Sequence, residues 1–286
     1  MTLRARLRSA QPAHPVLRLH RLRIRRRLLL LEALIAVAGC TPSAEQNVLA
    51  YLLAQRLGTL ASDPPPGGPA GALSGVVLHG EQPIHGASVV VADLNGEAAS
   101  ATAEEIGNNS IGVTVDITDR AAVDAMVKKA VDKYGRIDVL VNNAGWDKIG
   151  PFLEIEPEVW DRIININLYG SLHCSQAVAR KMVDQGKGTI INIGSDAARV
   201  GSSGEAVYSA CKGGLVSFTK TLARELARYG VTANAVCPGP SDTPLFAQIS
   251  EENPKLRAAL EKSIPLRRLA QPEDLANAVS FFASPG

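Results

Sequence analysis

The sequence predicts an α/β fold built on a doubly wound parallel sheet, and three observations carry that prediction. From residue 88 onward, short apolar runs alternate with amphipathic stretches of helical length. The run SVVVADL (88–94) is continuously apolar, as strands covered on both faces are. The intervening turns carry their own stop signals, such as Gly230 closing a long helical stretch. In such a sheet, ligands bind at the carboxyl ends of the strands.

The elements follow in order. Residues 75–78 (GVVL) and 88–94 read as strands, with a helix near 96–106. SIGVTVDI (110–117) is a strand and 119–134 a helix. RIDVLVNNAG (136–145) is a strand ending in a turn. A long helix lies within 155–185, a strand at 188–195, a helix at 206–229 and a strand and turn at 231–240. Only nine residues separate 75–78 from 88, whereas a parallel crossover needs a dozen or more. The two runs are therefore expected to form an antiparallel hairpin, or 75–78 to stay out of the sheet.

Residues 1–74 are expected to be an atypical extension, and 75–286 the α/β domain. The net charge of +2 is uneven: residues 1–40 hold nine Arg and one Glu, so the remainder is acidic. Three readings fit the basic and then apolar stretch 21–40. It resembles a lipoprotein signal ending at Cys40; it forms a strand followed by a helix capped at Ser43; or residues 1–74 are not native coding sequence. Aromatic content is 4%, too little for a surface that stacks single-stranded bases, so no nucleic-acid partner is expected. The four cysteines and five histidines show no metal-ligand spacing, so no metal is expected and the thiols read as free. Without lipidation at Cys40, no membrane attachment is expected.

Several polar residues fall where such a sheet places ligands. Asp93 ends a strand; its carboxylate suits either the hydroxyls of an adenosine ribose or a helix cap. Asp116 ends the next strand and admits an adenine contact or a cap. Asn142, Asn143, Ala144 and Gly145 form a turn of small residues that lets a ligand approach the backbone, or simply a tight turn. Tyr208 and Lys212 stand four apart on one helix face. An ammonium beside a phenol favours the phenolate, which would lower a pKa that starts near about 10 and make the tyrosine a proton donor and acceptor. Ser195 ends a strand thirteen residues upstream, where its hydroxyl could orient a carbonyl.

Taken together, Asn142-Asn143-Ala144-Gly145, Asn167-Leu168, Ser195, Tyr208-x-x-x-Lys212, Pro238-Gly239 and Thr243 resemble the short-chain dehydrogenase/reductases in order and spacing. The resemblance implies a Rossmann-like sheet, an NAD cofactor and hydride transfer between nicotinamide and a secondary alcohol or ketone. It makes Tyr208 the general acid/base, Lys212 its partner and ribose ligand, Ser195 the holder of the substrate oxygen, and Asn167 the support of a water relay. Asp93, Leu94, Asp116, Ile117, Asn143, Ala144, Gly145, Tyr208, Lys212, Pro238, Gly239 and Thr243 would line the cofactor, with Asp93 selecting NAD over NADP. Residues 142–147 and 195–225 are similar to members that act on 2-hydroxyacyl-CoA thioesters in alicyclic and aromatic acid degradation. The resemblance also implies a cytoplasmic homotetramer packed through 155–185 and 206–229. 3-Oxoacyl-carrier-protein reductases are the alternative within the family.

Two features depart from that pattern. The family's first strand leads into Thr-Gly-x-x-x-Gly-Ile-Gly and a helix, whose N–H groups hold the pyrophosphate. Here Gly80 and Gly86 lack the spacing, and the sequence stops at Gly286 before the usual last strand. The sheet is therefore expected to be incomplete at its first βα unit and at its final edge strand. A non-catalytic relative that does not hold NAD is the second reading of function.

Overall fold

A computed structural model describes residues 74–78 as backbone, and residues 88–107, 109–243, 246–247, 250 and 254–283. The expectations for residues 1–73, including Cys40 and Ser43, lie outside these. Six strands form one sheet in the order β3-β2-β1-β4-β5-β6. They are β1 (Ser74–Leu78), β2 (Ser88–Asp93), β3 (Ile111–Thr114), β4 (Val139–Asn142), β5 (Gly188–Ile193) and β6 (Val231–Val236). The helices are α1 (Gly96–Ile106), α2 (Arg120–Tyr134), α3 (Pro157–Ile164), α4 (Ser171–Gln185), the single turn α5 (Ala197–Val200), α6 (Ala206–Leu226), α7 (Pro254–Ser263) and α8 (Pro272–Ala283). A π-helical turn, Asn165–Gly170, joins α3 to α4.

The β2–β3, β4–β5 and β5–β6 pairs are parallel, as the alternating pattern predicts. β1 takes the central position between β2 and β4 but runs antiparallel to both. Its register places Leu78 opposite Ser88, so the chain leaves β1 at the amino edge of the parallel strands. The hairpin expected from the short connection is what forms. Among the described residues, β3 and β6 are the sheet's edges.

Paired residues share a face, and this sorts the core. Val76 lies opposite Val90 and Leu140, while Gly75 lies opposite Val91 and Val141. The first face carries Val90, Leu140 and Ile190 against Val123 and Met126 of α2, Val178 and Met182 of α4, and Leu222 of α6. The second carries Val89 and Val91 against Ala99 and Ala103 of α1. Further along it, Val141 and Ile191 pack against Ala276 and Val279 of α8. With helices on both faces, strands must be apolar at successive positions, which explains the unbroken run at 88–92.

The caps hold the connections. Asn95 accepts the Ala98 N–H at the start of α1, and Asp119 accepts the Ala121 N–H at the start of α2. Gly135, Gly186 and Gly230 adopt left-handed conformations that close α2, α4 and the turn after α6. α1 lies so close to β3 that a Cβ on Gly112 would come within 2.5 Å of the Ser100 backbone nitrogen and 2.7 Å of the Ala99 carbonyl carbon. Backbone cannot yield as a side chain does. Gly112→Ala is expected to destabilise the fold by about 1–3 kcal/mol, read as a lower urea midpoint with an unchanged slope.

Candidate active site at the carboxyl edge of the sheet

Lys212 anchors the site. Its side chain is 3% exposed, and Nζ donates to the Ile193 carbonyl at the end of β5 over 2.9 Å. Nζ also stands 5.5 Å from the centroid of the Tyr208 ring, one helical turn earlier. Burial lowers the ammonium's pKa to about 8, against the pull of Cys211, Cys237 and Asp147. Ser195 follows the same strand end, its hydroxyl accepting the Ala197 N–H at 3.2 Å and bonding the Tyr208 phenol. Strand end and helix face thus bring Ser195, Tyr208 and Lys212 together, as their spacing suggests.

The expected lowering of the Tyr208 pKa does not occur. The phenol is held above its ordinary value, chiefly by burial, with Glu205 and Asp147 pushing the same way; the bond from Ser195 opposes them. Desolvation and two nearby carboxyls outweigh the hydrogen bond from Ser195.

Asn167 is fully buried in the π-helical turn. Its Nδ2 donates to the carbonyls of Trp146 (2.6 Å) and Ile163 (2.9 Å), and its Oδ1 accepts the Trp146 N–H at 3.3 Å. The irregular turn frees the Ile163 carbonyl for this side chain and ties α3 to the loop after β4. A Cβ on Gly145 would sit 3.0 Å from Asn167 Oδ1 and 3.5 Å from Lys212 Nζ. Glycine therefore lets this loop pass over both.

The other candidate residues divide. Asp93 is buried at the end of β2, Oδ1 accepting the Asn95 N–H at 2.7 Å. Burial raises its pKa to about 6, with the Asn95 and Leu94 amides pulling against it. It is not a helix cap; Asn95 fills that role. Asp116 is not a cap either: it is exposed and accepts the Thr118 N–H and hydroxyl. Leu94 is 49% exposed beside Asp93. Ile117 turns its side chain into the core, against Gly170, and its carbonyl bonds the His173 ring. Ala144 is likewise buried in the core, while Asn143 is half-buried at the end of β4. A Cβ on Gly239 would meet nothing within 4 Å, so that loop borders open space. The Pro238 carbonyl accepts the Asp196 N–H and holds the ends of β5 and β6 together. Thr243 Oγ1 accepts the Phe246 N–H.

Asn142 points away from the site. It donates to Ser175 of α4 (2.8 Å) and to Asn192 of β5 (2.7 Å), and Asn192 donates to Thr219 of α6. All four side chains are buried. They form a satisfied polar strut beneath the edge that carries Ser195 and Lys212.

Sequence reasoning missed Asp147 and Glu205. Asp147 is 9% exposed, and its pKa is raised to about 7 by burial and by the Glu205 carboxyl. Both line a cleft with Tyr208, Trp160, Phe152 and Ile163. The only hint in the sequence is an acidic residue two positions after Gly145 and another three before Tyr208.

These residues are compatible with the two ribose ends of a nicotinamide dinucleotide. Asp93 would offer a carboxylate at a strand end to one ribose, and Gly145, Lys212 and Tyr208 would border the other ribose and the reacting ring. β1 ends and β2 begins at the amino edge of the parallel strands, the edge opposite Ser195 and Asp93.

Comparisons with known proteins agree with this geometry. A family profile described as enoyl-(acyl carrier protein) reductase matches residues 83–286. The (2S)-[(R)-hydroxy(phenyl)methyl]succinyl-CoA dehydrogenase subunit BbsD of Thauera aromatica is 40% identical over 201 residues, 69% of this chain and 79% of that protein. The 3-oxoacyl-[acyl-carrier-protein] reductase FabG of Vibrio harveyi is 38% identical over 200 residues, 70% of this chain and 81% of that protein. Among solved structures, the NADH complex of a 3-ketoacyl-(acyl-carrier-protein) reductase from Brucella melitensis superposes with a TM-score of 0.65. It is 35% identical and covers 70% of this chain and 81% of that one. On its sheet, its Ser195–Tyr208–Lys212 cluster and these relatives, the chain belongs to the short-chain dehydrogenase/reductase family of oxidoreductases.

Proposed function

We propose that the protein catalyses NAD-dependent hydride transfer between nicotinamide and a secondary alcohol or ketone, carried by a CoA thioester. The observation that carries the reading is the convergence of Ser195, Tyr208 and Lys212 at the carboxyl edge of β5. NAD would supply or accept the hydride. The Ser195 hydroxyl holds the substrate oxygen, and the Tyr208 phenol gives it a proton in the reductive direction. Because Tyr208 is held above its ordinary pKa, it carries that proton throughout the neutral range. Lys212 would hold a cofactor ribose and keeps a positive charge beside the phenol, and Asn167 fixes the loop that passes over it. The Asp93 carboxylate would accept from ribose hydroxyls and repel a 2′-phosphate.

The favoured substrate is a 2-hydroxyacyl-CoA of alicyclic or aromatic acid degradation, on the pattern of 2-hydroxycyclohexanecarboxyl-CoA dehydrogenase. The relative in Thauera aromatica, itself a CoA-thioester dehydrogenase subunit by name, supports this. Several relatives named as 3-oxoacyl-carrier-protein reductases favour a second reading, reduction of a 3-oxoacyl thioester. A homo-oligomer assembled through the helices of 155–185 and 206–229 fits the half-exposed Tyr169 and the thinly buried α6. No helix among the described residues is long and apolar enough to cross a membrane. A cytoplasmic location belongs to the proposal because an NAD-dependent reaction needs a compartment where NAD is abundant.

The reversed β1 favours one competitor: a chain that keeps the catalytic side chains but holds no dinucleotide. An NADH fluorescence titration of the full chain separates the two. Saturation in the micromolar range, with NADPH binding at least about tenfold more weakly because of Asp93, is the expected result. A folded chain that binds no NADH at millimolar concentration would end the enzymatic reading.

A further inference from the structure

The cleft beside Tyr208 contains polar groups that the proposed hydride transfer leaves unused. Both carboxyl oxygens of Asp147 are buried without a hydrogen bond of good geometry, with the Lys148 amide the donor beside them, and the Trp160 Nε1–H is buried with no acceptor. A buried group left unpaired costs about 1–3 kcal/mol, and more when charged, so such groups call for a partner. Glu205 faces Asp147, but two carboxylates have no donor between them; they bond only when one carries a proton. Phe152 stacks on the Trp160 indole at 5.1 Å between centroids and holds its ring in place. These four residues and Tyr208 line the same cleft.

We propose that Asp147, Glu205 and Trp160 form a second polar subsite in the substrate cleft, which takes an uncharged hydroxyl or amide group of the substrate and rejects a carboxylate. The inference rests on the cleft being the substrate site, as proposed above. A hydroxyl or primary amide carries both a donor that suits Asp147 and an acceptor that suits the Trp160 Nε1–H. A carboxylate can accept from Trp160 but has nothing to donate, and it meets the negative charge of the pair. The charged and titratable groups facing the pair are Lys212, Tyr208 and the Lys148 segment. Lys212 offsets part of the negative charge, and the Lys148 amide stabilises the ionised form, but burial and mutual repulsion dominate, and Asp147 titrates at about 7. Rejection of anions should therefore strengthen as the pH rises past neutrality.

Acetoacetamide and acetoacetate are near-isosteric probes that differ in charge and in the ability to donate. In a Trp146→Phe background, Trp160 is the only tryptophan, and quenching of its fluorescence reports binding in the full chain. At about pH 8 acetoacetamide should bind at least about tenfold more tightly than acetoacetate. Asp147→Asn and, separately, Glu205→Gln should each bring the two affinities to within about threefold. Glu205 is only partly buried, so its variant stays informative if Asp147→Asn folds poorly. Equal affinities in the parent chain, unchanged discrimination in the Glu205 variant, or binding of neither probe would each overturn the proposal. The readout involves no hydride transfer. A chain that discriminates but never oxidises NADH sinks the proposed activity alone; an active chain without discrimination sinks the subsite alone.

Discussion

Tyr208→Phe is expected to lower kcat by about 10²–10⁴-fold while leaving NADH affinity within about threefold of the parent. The substitution removes one oxygen and keeps the ring, so the Lys212 ammonium keeps its aromatic neighbour at 5.5 Å and its bond to the Ile193 carbonyl. What is lost is the phenol that bonds the Ser195 hydroxyl. If Tyr208 acts on the proton in the transition state, kcat and kcat/KM should fall together; if it only shapes the cleft, KM should rise with kcat nearly unchanged. The direction of the reaction sharpens the test. A phenol raised by burial and by two carboxyls is ready to donate, so ketone reduction should vary little through the neutral range. Alcohol oxidation needs the phenolate, which takes up the alcohol's proton, and its rate should climb with pH as that form becomes populated. Stopped-flow rates of NADH formation and consumption over about pH 6–9 would show the asymmetry.

Asp147→Asn should make the protein more stable at about pH 8 than the parent chain, by on the order of 3 kcal/mol, and the advantage should shrink as the pH falls towards 4. Burial and Glu205 hold the Asp147 carboxyl at about 7, against an ordinary value of 3.8. The folded chain therefore binds this proton more tightly than the unfolded chain does. The stability linked to that proton is complete below the unfolded pKa and is lost as the pH rises through the folded one. Asparagine does not titrate, so its midpoint should be the flatter of the two across the same window. Urea midpoints at about pH 5 and 8 give the measurement. Parallel curves for the two proteins would show that Asp147 ionises as freely in the fold as in the open chain.

Much of the site is legible in the amino-acid sequence, because short-range periodicity is local. Tyr208 and Lys212 share a helix face by spacing alone, and Ser195 and Asp93 stand at strand ends because the apolar runs stop there. The nine-residue connection excludes a parallel crossover, and β1 indeed pairs antiparallel. Gly230 closes its helix in the left-handed conformation that only a few residues tolerate.

Other features depend on what packs from far along the chain. Asn142 groups with its sequence neighbours as a site turn, yet the sheet turns it inward, where Ser175 and Asn192 satisfy it, 33 and 50 residues away. Asp93 and Asp116 resemble caps in one dimension, but Asn95 and Asp119 are the residues whose side chains reach the free N–H groups. Ile117 lies beside Asp116 in the chain, yet its side chain belongs to the core. The Tyr208 phenol rises where spacing alone predicts a fall, because desolvation by the surrounding fold and two carboxyls outweigh the bond from Ser195. The sequence by itself determined the order of strands and helices and the Ser195–Tyr208–Lys212 set, since these rest on periods of two and 3.6 residues. Tertiary structure alone decided the direction in which β1 fills the sheet's centre, the meeting of Asp147 with Glu205 and the proton affinities of the cleft, since these depend on burial and on charges brought together across the fold.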